Sequence, residues 1–286
     1  MFDDRGEKFA IVNNTIFFLY NGMVVPFAPA NEKVNLTNLE ARELLNRLGG
    51  KLVRWNNSGF ELSGNNEWYV LICREFTSID TVKSKLRNEI RKGISNCKIQ
   101  RVDVEYISRN GYEVYSRAYS RYKNINYSLI DKKSFSRDIS STANYNDILH
   151  YWGVFYQNKL IGYSSNFIFD TTEALYSSIK LDPAYLNLYP SYALIYEMNY
   201  SYLIENKFEY VNDGYRTLLH DTNFQNFLIR KFDFIKAGLT LKVYYKPLYS
   251  TIINALYPIR KVVSQFDPRL EAVLKLESIR RSYYGR

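Results

Sequence analysis

The chain has 286 residues, 46% hydrophobic and 23% charged, with a formal net charge of +9; the length suits two ordinary domains, and the balance excludes a disordered or fibrous chain. Its two cysteines, Cys73 and Cys97, sit in no CxxC or Cys/His cluster, which excludes a disulfide framework and a structural zinc site, and no apolar run reaches the roughly 18 residues of a membrane span. The start, "MFDDRGEKFA", lacks the basic region and apolar core of a signal peptide, so a soluble cytoplasmic protein is expected, its charge suited to RNA, a phosphorylated donor or the inner membrane surface.

"FAIVNNTIFFLYNGMVVPFAP" alternates β-branched and aromatic runs with Asn-Asn and Asn-Gly turns, which predicts a hairpin and a further extended segment. In "NLTNLEARELLNRLGG", Asn35 or Thr37 can cap a helix whose apolar face is Leu36, Leu39, Leu44, Leu45 and Leu48, and Gly49-Gly50 ends it. "KLVRW" and "EWYVLICREF" are strands divided by a Gly-Asn-Asn turn. "SIDTVKSKLRNEIRKGISNC" predicts a helix capped by Ser78 or Asp80, with Val82, Leu86, Ile90 and Ile94 inward. Lys83, Lys85, Arg87, Arg91 and Lys92 face outward, interrupted by Glu89. "KIQRVDVE" reads as a strand and "GYEVYSRAYSRYKN" as a second basic helix, and residues 125–146, polar and weakly periodic, as a loop with short helical pieces.

Beyond His150, "YWGVFY" and "LIGYSSNFIFD" predict a hairpin across Gln157-Asn158-Lys159. "ALYSSIKLDP" is a strand stopped by Pro183, and "PSYALIYEMNYSYLIENK" a helix with Pro190 in its first turn. "FEYVND" is a strand, "DTNFQNFLIRKF" a helix capped by Asp221 or Thr222, and "FIKAGLTLKVYYKP" one long final strand. "ALYPIRKVVSQFDPRLEAVLKLESIRR" adds one or two basic helices. This order predicts an α/β protein of two related halves, residues 1–97 and 98–250, each a mixed sheet flanked by helices, with a basic extension at 251–286.

The hairpin "YWGVFYQNKLIGYSSNFIFD" and the closing "TNFQNFLIRKFDF" resemble the corresponding strands and last helix of the GNAT superfamily of acyltransferases, with Lys231 and Phe234 on that family's lysine and phenylalanine positions. "SKLRNEIRKGISNCKIQRV" and "FEYVNDGYRT" resemble, more narrowly, the joining helix and strand end of Fem-type aminoacyl and peptidyl transferases, which carry two GNAT-like halves. The likeness spans residues 98–247 for the first pattern and 9–250 with the second. It implies transfer of an acyl or aminoacyl group to an amine, plausible acceptors being a cell-wall or polysaccharide precursor, lipid-linked or nucleotide-linked. No cofactor is built in; acyl-CoA or aminoacyl-tRNA would be the co-substrate. Two departures stand out. The stretch matching the glycine-rich pyrophosphate loop, "KLDPAYLNLYPSYALIY", has no glycine, and the position of the family's closing-helix tyrosine is Ile229. An acyl-CoA N-acyltransferase with an atypical donor loop, and a catalytically silent module that binds polyanions or a protein, therefore remain alternatives.

"YVNDGYRTLLHDTN" gathers the candidate chemistry. Asp213 can orient or deprotonate an amine, Tyr215 and His220 can pass a proton, and Arg216, with Asn223, can hold a phosphate or carboxylate. The same residues equally suit an Asp213-Gly214 turn and an Asp221 cap, with His220 a polar loop residue. Asp182 ends the central strand where donor and acceptor would meet, or simply terminates it. Tyr185, Tyr189, Ser191 and Tyr192 are donor-pocket candidates by position. The five cations of the basic helix are the anion-binding candidates, for tRNA or a phosphorylated precursor, and "ESIRRSYYGR" is a candidate membrane-surface contact. His150 is expected in a loop, Glu173 in a solvent-facing turn, and Cys73 and Cys97 in the core.

Overall fold

The computed structural model describes residues 1–61, 67–120, 129–218 and 223–284. Its elements run β1 (Phe9–Val12), β2 (Thr15–Tyr20), β3 (Met23–Phe27), α1 (Asn38–Leu48), β4 (Leu52–Asn56), β5 (Tyr69–Cys73), α2 (Ser84–Asn96), β6 (Lys98–Val102), α3 (Val104–Tyr119) and α4 (Lys132–Ser140). There follow β7 (Leu149–Tyr156), β8 (Lys159–Phe169), β9 (Glu173–Leu181), α5 (Pro190–Asn199), β10 (Tyr210–Tyr215), α6 (Asn223–Lys231), β11 (Ile235–Gly238) and β12 (Leu241–Tyr245). The chain closes with α7 (Pro247–Leu256), α8 (Arg260–Val263) and α9 (Pro268–Tyr284). The expected α/β class, with mixed sheets flanked by helices, is what the molecule has.

The chain forms two compact units. One comprises residues 2–71, 215–226 and 236–286. Its sheet has the order β1-β2-β3-β4-β12, with β3 and β4 parallel and the other neighbours antiparallel. Asn13, Asn14, Asn21 and Gly22 all take positive φ, the conformation that tight hairpin turns demand and that Asn and Gly tolerate. Thr37 caps α1 in a reciprocal capping box with Glu40, and Gly49, left-handed at φ 83°, ends it. Leu44, Leu45 and Leu48 then pack on Phe17, Val24, Val53 and Trp55. Leu39, expected inward, is 65% exposed; it lies five positions before Leu44, off the buried stripe, and Ala41 fills that face instead. The expected long final strand is two strands. It breaks at Leu239-Thr240, where Thr240 N–H donates to Ser58 Oγ, and β12 then pairs with β4.

The other unit comprises residues 1, 72–214 and 227–235. Here β10, β9, β8, β7 and β6 lie side by side in that order, with β9 and β10 parallel and the rest antiparallel. The β7–β8 hairpin turns at Gln157 and Asn158, both at positive φ. Helix α3 starts at Val104, which the sequence pattern assigned to the preceding strand. It packs Ile107 and Val114, with Phe135 of α4, on Tyr151, Phe155 and Tyr163. Part of the expected loop is thus α4, whose Asp131 cap accepts the Ser134 N–H; residues 121–128 lie outside the described residues.

Helix α2 begins at Ser84 rather than at a Ser78 or Asp80 cap. Residues 78–81 close their own turn through Thr81 N–H to Ser78 O, and the Arg87 guanidinium reaches back to the carbonyls of Ile79, Asp80 and Val82. Ile90 is buried but Ile94, expected inward, is exposed. The helix crosses the start of α5 so tightly that a Cβ on Gly93 would lie 2.6 Å from Tyr189 O and 3.0 Å from Ala193 N. Replacing a helical glycine by alanine ordinarily stabilises by up to about 1 kcal/mol. Gly93→Ala is expected to do the reverse, losing about 1–2 kcal/mol in equilibrium unfolding because backbone must move to admit the methyl group; a net gain would show that the crossing is loose.

Candidate functional site

The parallel strands β9 and β10 stay together for only three pairs, Tyr210↔Glu173, Val211↔Ala174 and Asn212↔Leu175. Strand β9 runs on to Leu181, paired with β8 on its other side. Glu173 fastens the start of this arrangement. Its carboxylate is buried, and it accepts the Tyr210 hydroxyl at 2.6 Å and the Asn212 amide at 2.9 Å. The solvent-facing turn expected for Glu173 is thus overturned, because residue 173 opens β9 opposite Tyr210 rather than ending the hairpin. Asn212 in turn accepts the Gly214 N–H at 2.5 Å, and Gly214 adopts φ 92°, a turn conformation suited to glycine. Asp213 is the first residue beyond the last pair and is half-buried there.

At the far end of β9, buried Asp182 ties the strand to its surroundings. Arg117 donates to one carboxylate oxygen at 2.7 Å and the Ala184 N–H to the other at 3.0 Å, opening the 3-10 turn Pro183–Leu188. Lys180, half-buried over the Tyr119 ring at 4.6 Å, is held below its ordinary pKa by burial. Tyr189 is left-handed at φ 61° and leads into α5. The Tyr189 N–H donates to Leu186 O, and those of Tyr192 and Ala193 both donate to Tyr189 O. The Tyr192 and Ala193 amides in the first turn of α5 are therefore engaged by the chain itself.

Beside α5, the structure assembles residues that the sequence left scattered. Lys231 pairs with Glu89 at 2.5 Å and lies over the Tyr192 ring. Burial opposes its charge, but the bonds to Glu89 and Tyr192 outweigh that and raise its pKa. Glu89, which seemed to interrupt the basic helix, is thus the partner of the closing helix. Lys85 and Lys92 line an open depression of about 410 Å³ with Ser84, Asn88, Glu89 and Tyr189, and Lys92 lies 5.7 Å from the centre of the Tyr189 ring. Lys83 and Arg91 are exposed outside it, Arg87 is turned back on its own turn, and Ser191 is half-buried at the start of α5.

In the other unit, Tyr215 accepts the Asn56 amide at 2.7 Å and stacks on Trp68 at 5.4 Å. Trp68 Nε1–H donates to Asn56 Oδ1, and the Arg54 guanidinium lies 4.9 Å from both rings. Burial holds Arg54 below its ordinary pKa. Arg216 donates from its side chain to Glu67 O and from its backbone to Tyr69 O. Asn223 is exposed at the start of α6. His220, Asp221 and Thr222 lie outside the described residues. Arg54, Asn56 and Trp68 were missed by sequence reasoning, whose only signal was a cation and a tryptophan inside a strand run.

His150 is a strand residue of β7, not a loop residue. Its Nδ1 meets Arg101 Nη1 at 2.9 Å and the Tyr202 hydroxyl at 3.2 Å. Tyr202, carried on a π-helical turn at Tyr200–Glu205, also accepts Trp152 Nε1–H and the Asn166 amide. Because the Arg101 guanidinium can only donate, Nδ1 is the acceptor, which assigns the imidazole proton to Nε2. Burial and the adjacent Arg101 lower the His150 pKa from 6.5 to about 4. The thiols are pushed the other way by burial, Cys73 to about 12 and Cys97 to about 11, as suits inert core residues. Because the unfolded chain binds the His150 proton more readily, stability should decline as pH falls from about 6.5 towards 4. Unfolding titrations across that range should show a shallower decline in His150→Gln; an unchanged slope would mean that His150 does not contribute.

No family model matches the sequence, and no curated protein sequence matches it. Among solved structures, the fold is similar to that of FemX, with a TM-score of 0.54 at 10% identity, covering 86% of this chain and 90% of that one. It is also similar to the C-terminal DUF2156 domain of a putative lysylphosphatidylglycerol synthetase from Agrobacterium fabrum, with a TM-score of 0.52 at 10% identity over 88% and 90% of the two chains. A conserved protein of unknown function from Bacteroides thetaiotaomicron follows at 0.51 and 10%, over 83% and 85%. At such identities the likeness is one of fold, and at that level it bears out the Fem-type resemblance read from the sequence.

Proposed function

We propose that the chain is an acyltransferase that moves an acyl or aminoacyl group to an amine, on a cell-wall or polysaccharide precursor. The observation that carries this reading is the parting of β9 from β10 after Asn212↔Leu175, with Asp213 as the first residue beyond it. Aminolysis of an acyl donor needs a neutral amine, stabilisation of the oxyanion and in-line placement of the two. A carboxylate at Asp213 orients the amine and takes its proton. One backbone edge of β9, from Tyr176 to Leu181, extends past the pairs with β10 and supplies N–H groups of the kind that hold an oxyanion.

The donor side favours aminoacyl-tRNA over acyl-CoA. The Tyr192 and Ala193 amides of α5 are engaged by Tyr189 O, and Gly93 of α2 closes on the same turn, which narrows any amide cradle for pyrophosphate there. The depression between Lys85 and Lys92 suits backbone phosphates instead.

Thermal stabilisation by charged tRNA, deacylated tRNA, CoA and acyl-CoAs, each at two salt concentrations, tests this. A ligand at 100 times its Kd adds about 2.7 kcal/mol. The expected result is a shift with charged tRNA that survives moderate salt, and aminoacyl transfer that slows about 100-fold or more in a folded Asp213→Ala variant. A shift with CoA species alone would restore the acyl-CoA reading. Equal, strongly salt-dependent shifts with charged and deacylated tRNA, without transfer, would make the chain a polyanion-binding module.

A further inference from the structure

The basic tail expected to touch a membrane is otherwise engaged. In α9, Leu274, Leu276 and Ile279 are buried, and Arg280 and Arg281 both pair with buried Glu277 at 2.7 Å. Arg281 also donates to Asn254 and lies 3.9 Å from the centre of the Tyr257 ring. A run of exposed apolar side chains lies just before it. Leu248 (70% exposed), Ile252 (42%), Ile259 (53%), Val262 (59%) and Phe266 (80%) follow one another along α7, the 3-10 turn Tyr257–Ile259, α8 and the turn after it. Leu248 and Ile252 stand one helical turn apart on α7 and so share a face, while Val262 on α8 and Phe266 in the turn after it are the most exposed of the later positions.

So dense a run of exposed large apolar side chains marks a contact surface. Its charge pattern says which kind. Helix α7 carries no charged residue, and Lys246, Arg260 and Lys261 border the apolar positions without a single acidic residue between Lys246 and Phe266. Against a second copy of the chain, a two-fold contact through this surface would bring like cations together. An anionic lipid surface complements both features, since apolar side chains enter the acyl boundary while lysines meet the headgroups. Helix α7 spans ten residues, and among the described residues no helix is long and apolar enough to cross a membrane; the segment is built to lie on a bilayer, not to span one.

We propose that residues 247–266 form a peripheral docking surface for an anionic lipid bilayer, which would bring the chain to lipid-linked acceptors. The surface is independent of the acyltransfer reading, since binding can be present without transfer and transfer without binding. Flotation of the full chain with phosphatidylcholine vesicles, with and without about one third phosphatidylglycerol, tests it directly. The chain should float with the anionic vesicles and less as salt is raised. Val262→Ser/Phe266→Ser, whose side chains are exposed and whose folding is checked by thermal melting, should lower the partition coefficient about tenfold or more. Lys246→Gln/Lys261→Gln should weaken it while leaving the melting temperature unchanged. Absence of flotation would overturn the proposal. So would flotation unaffected by the Val262/Phe266 substitutions, or a dimer in light scattering that those same substitutions dissolve.

Discussion

A buried carboxylate governs the geometry of the candidate site. Glu173 is buried, and Tyr210 and Asn212 both donate to its carboxyl group, which offsets the loss of water. Those two residues sit at the start of β10, so the bonds that satisfy the buried carboxyl group also tie β10 to β9 in this register. The pairing ends where the bonds end. Asn212 then passes the constraint on through the Gly214 N–H, and the left-handed glycine turns the chain. Asp213 is thus held between a fixed residue and a turn, the kind of support that keeps a candidate side chain in place.

The donor side of the same unit follows from a second close fit. Gly93 lets α2 approach the backbone of α5 at a distance that no side chain allows. That approach carries Lys85, Glu89 and Lys92 to the start of α5, where Glu89 meets Lys231 and Tyr192. The Tyr192 and Ala193 amides at this helix start are engaged by Tyr189 O, and the Lys85 and Lys92 ammonium groups stand nearby. The glycine-free stretch before α5 and the glycine in α2 meet at this one crossing.

Much of the fold was legible because its signals are local. Asn13-Asn14 and Asn21-Gly22 announce their turns through the φ values they tolerate, Thr37 and Glu40 form a box three residues apart, and the apolar period of α1 and the β7–β8 alternation need only near neighbours. What failed was long-range or at a boundary. Nothing within "FIKAGLTLKVYYKP" tells that Thr240 finds Ser58 and that the strand must break there. Leu39 falls off the buried stripe of α1, and Ile94 keeps the period of α2 but is exposed all the same. Glu173 and His150 looked like turn and loop residues because Tyr210 and Tyr202, which bury them, lie 37 and 52 positions away. The strand end at Asp213 was recognisable as a candidate site, whereas the aromatic and guanidinium arrangement of Arg54, Asn56 and Trp68 around Tyr215 depends on contacts across up to 159 residues.

Hydrogen exchange of the full chain with and without aminoacyl-tRNA bears most directly on the claim that the parting of β9 and β10 is where transfer occurs. Protection should appear at the amides of Tyr176–Leu181 and at Asp213-Gly214, together with the Lys85–Lys92 stretch of α2. Protection of α2 without any change along β9 and at Asp213 would contradict it, leaving a surface that binds polyanions beside a sheet opening that does no chemistry.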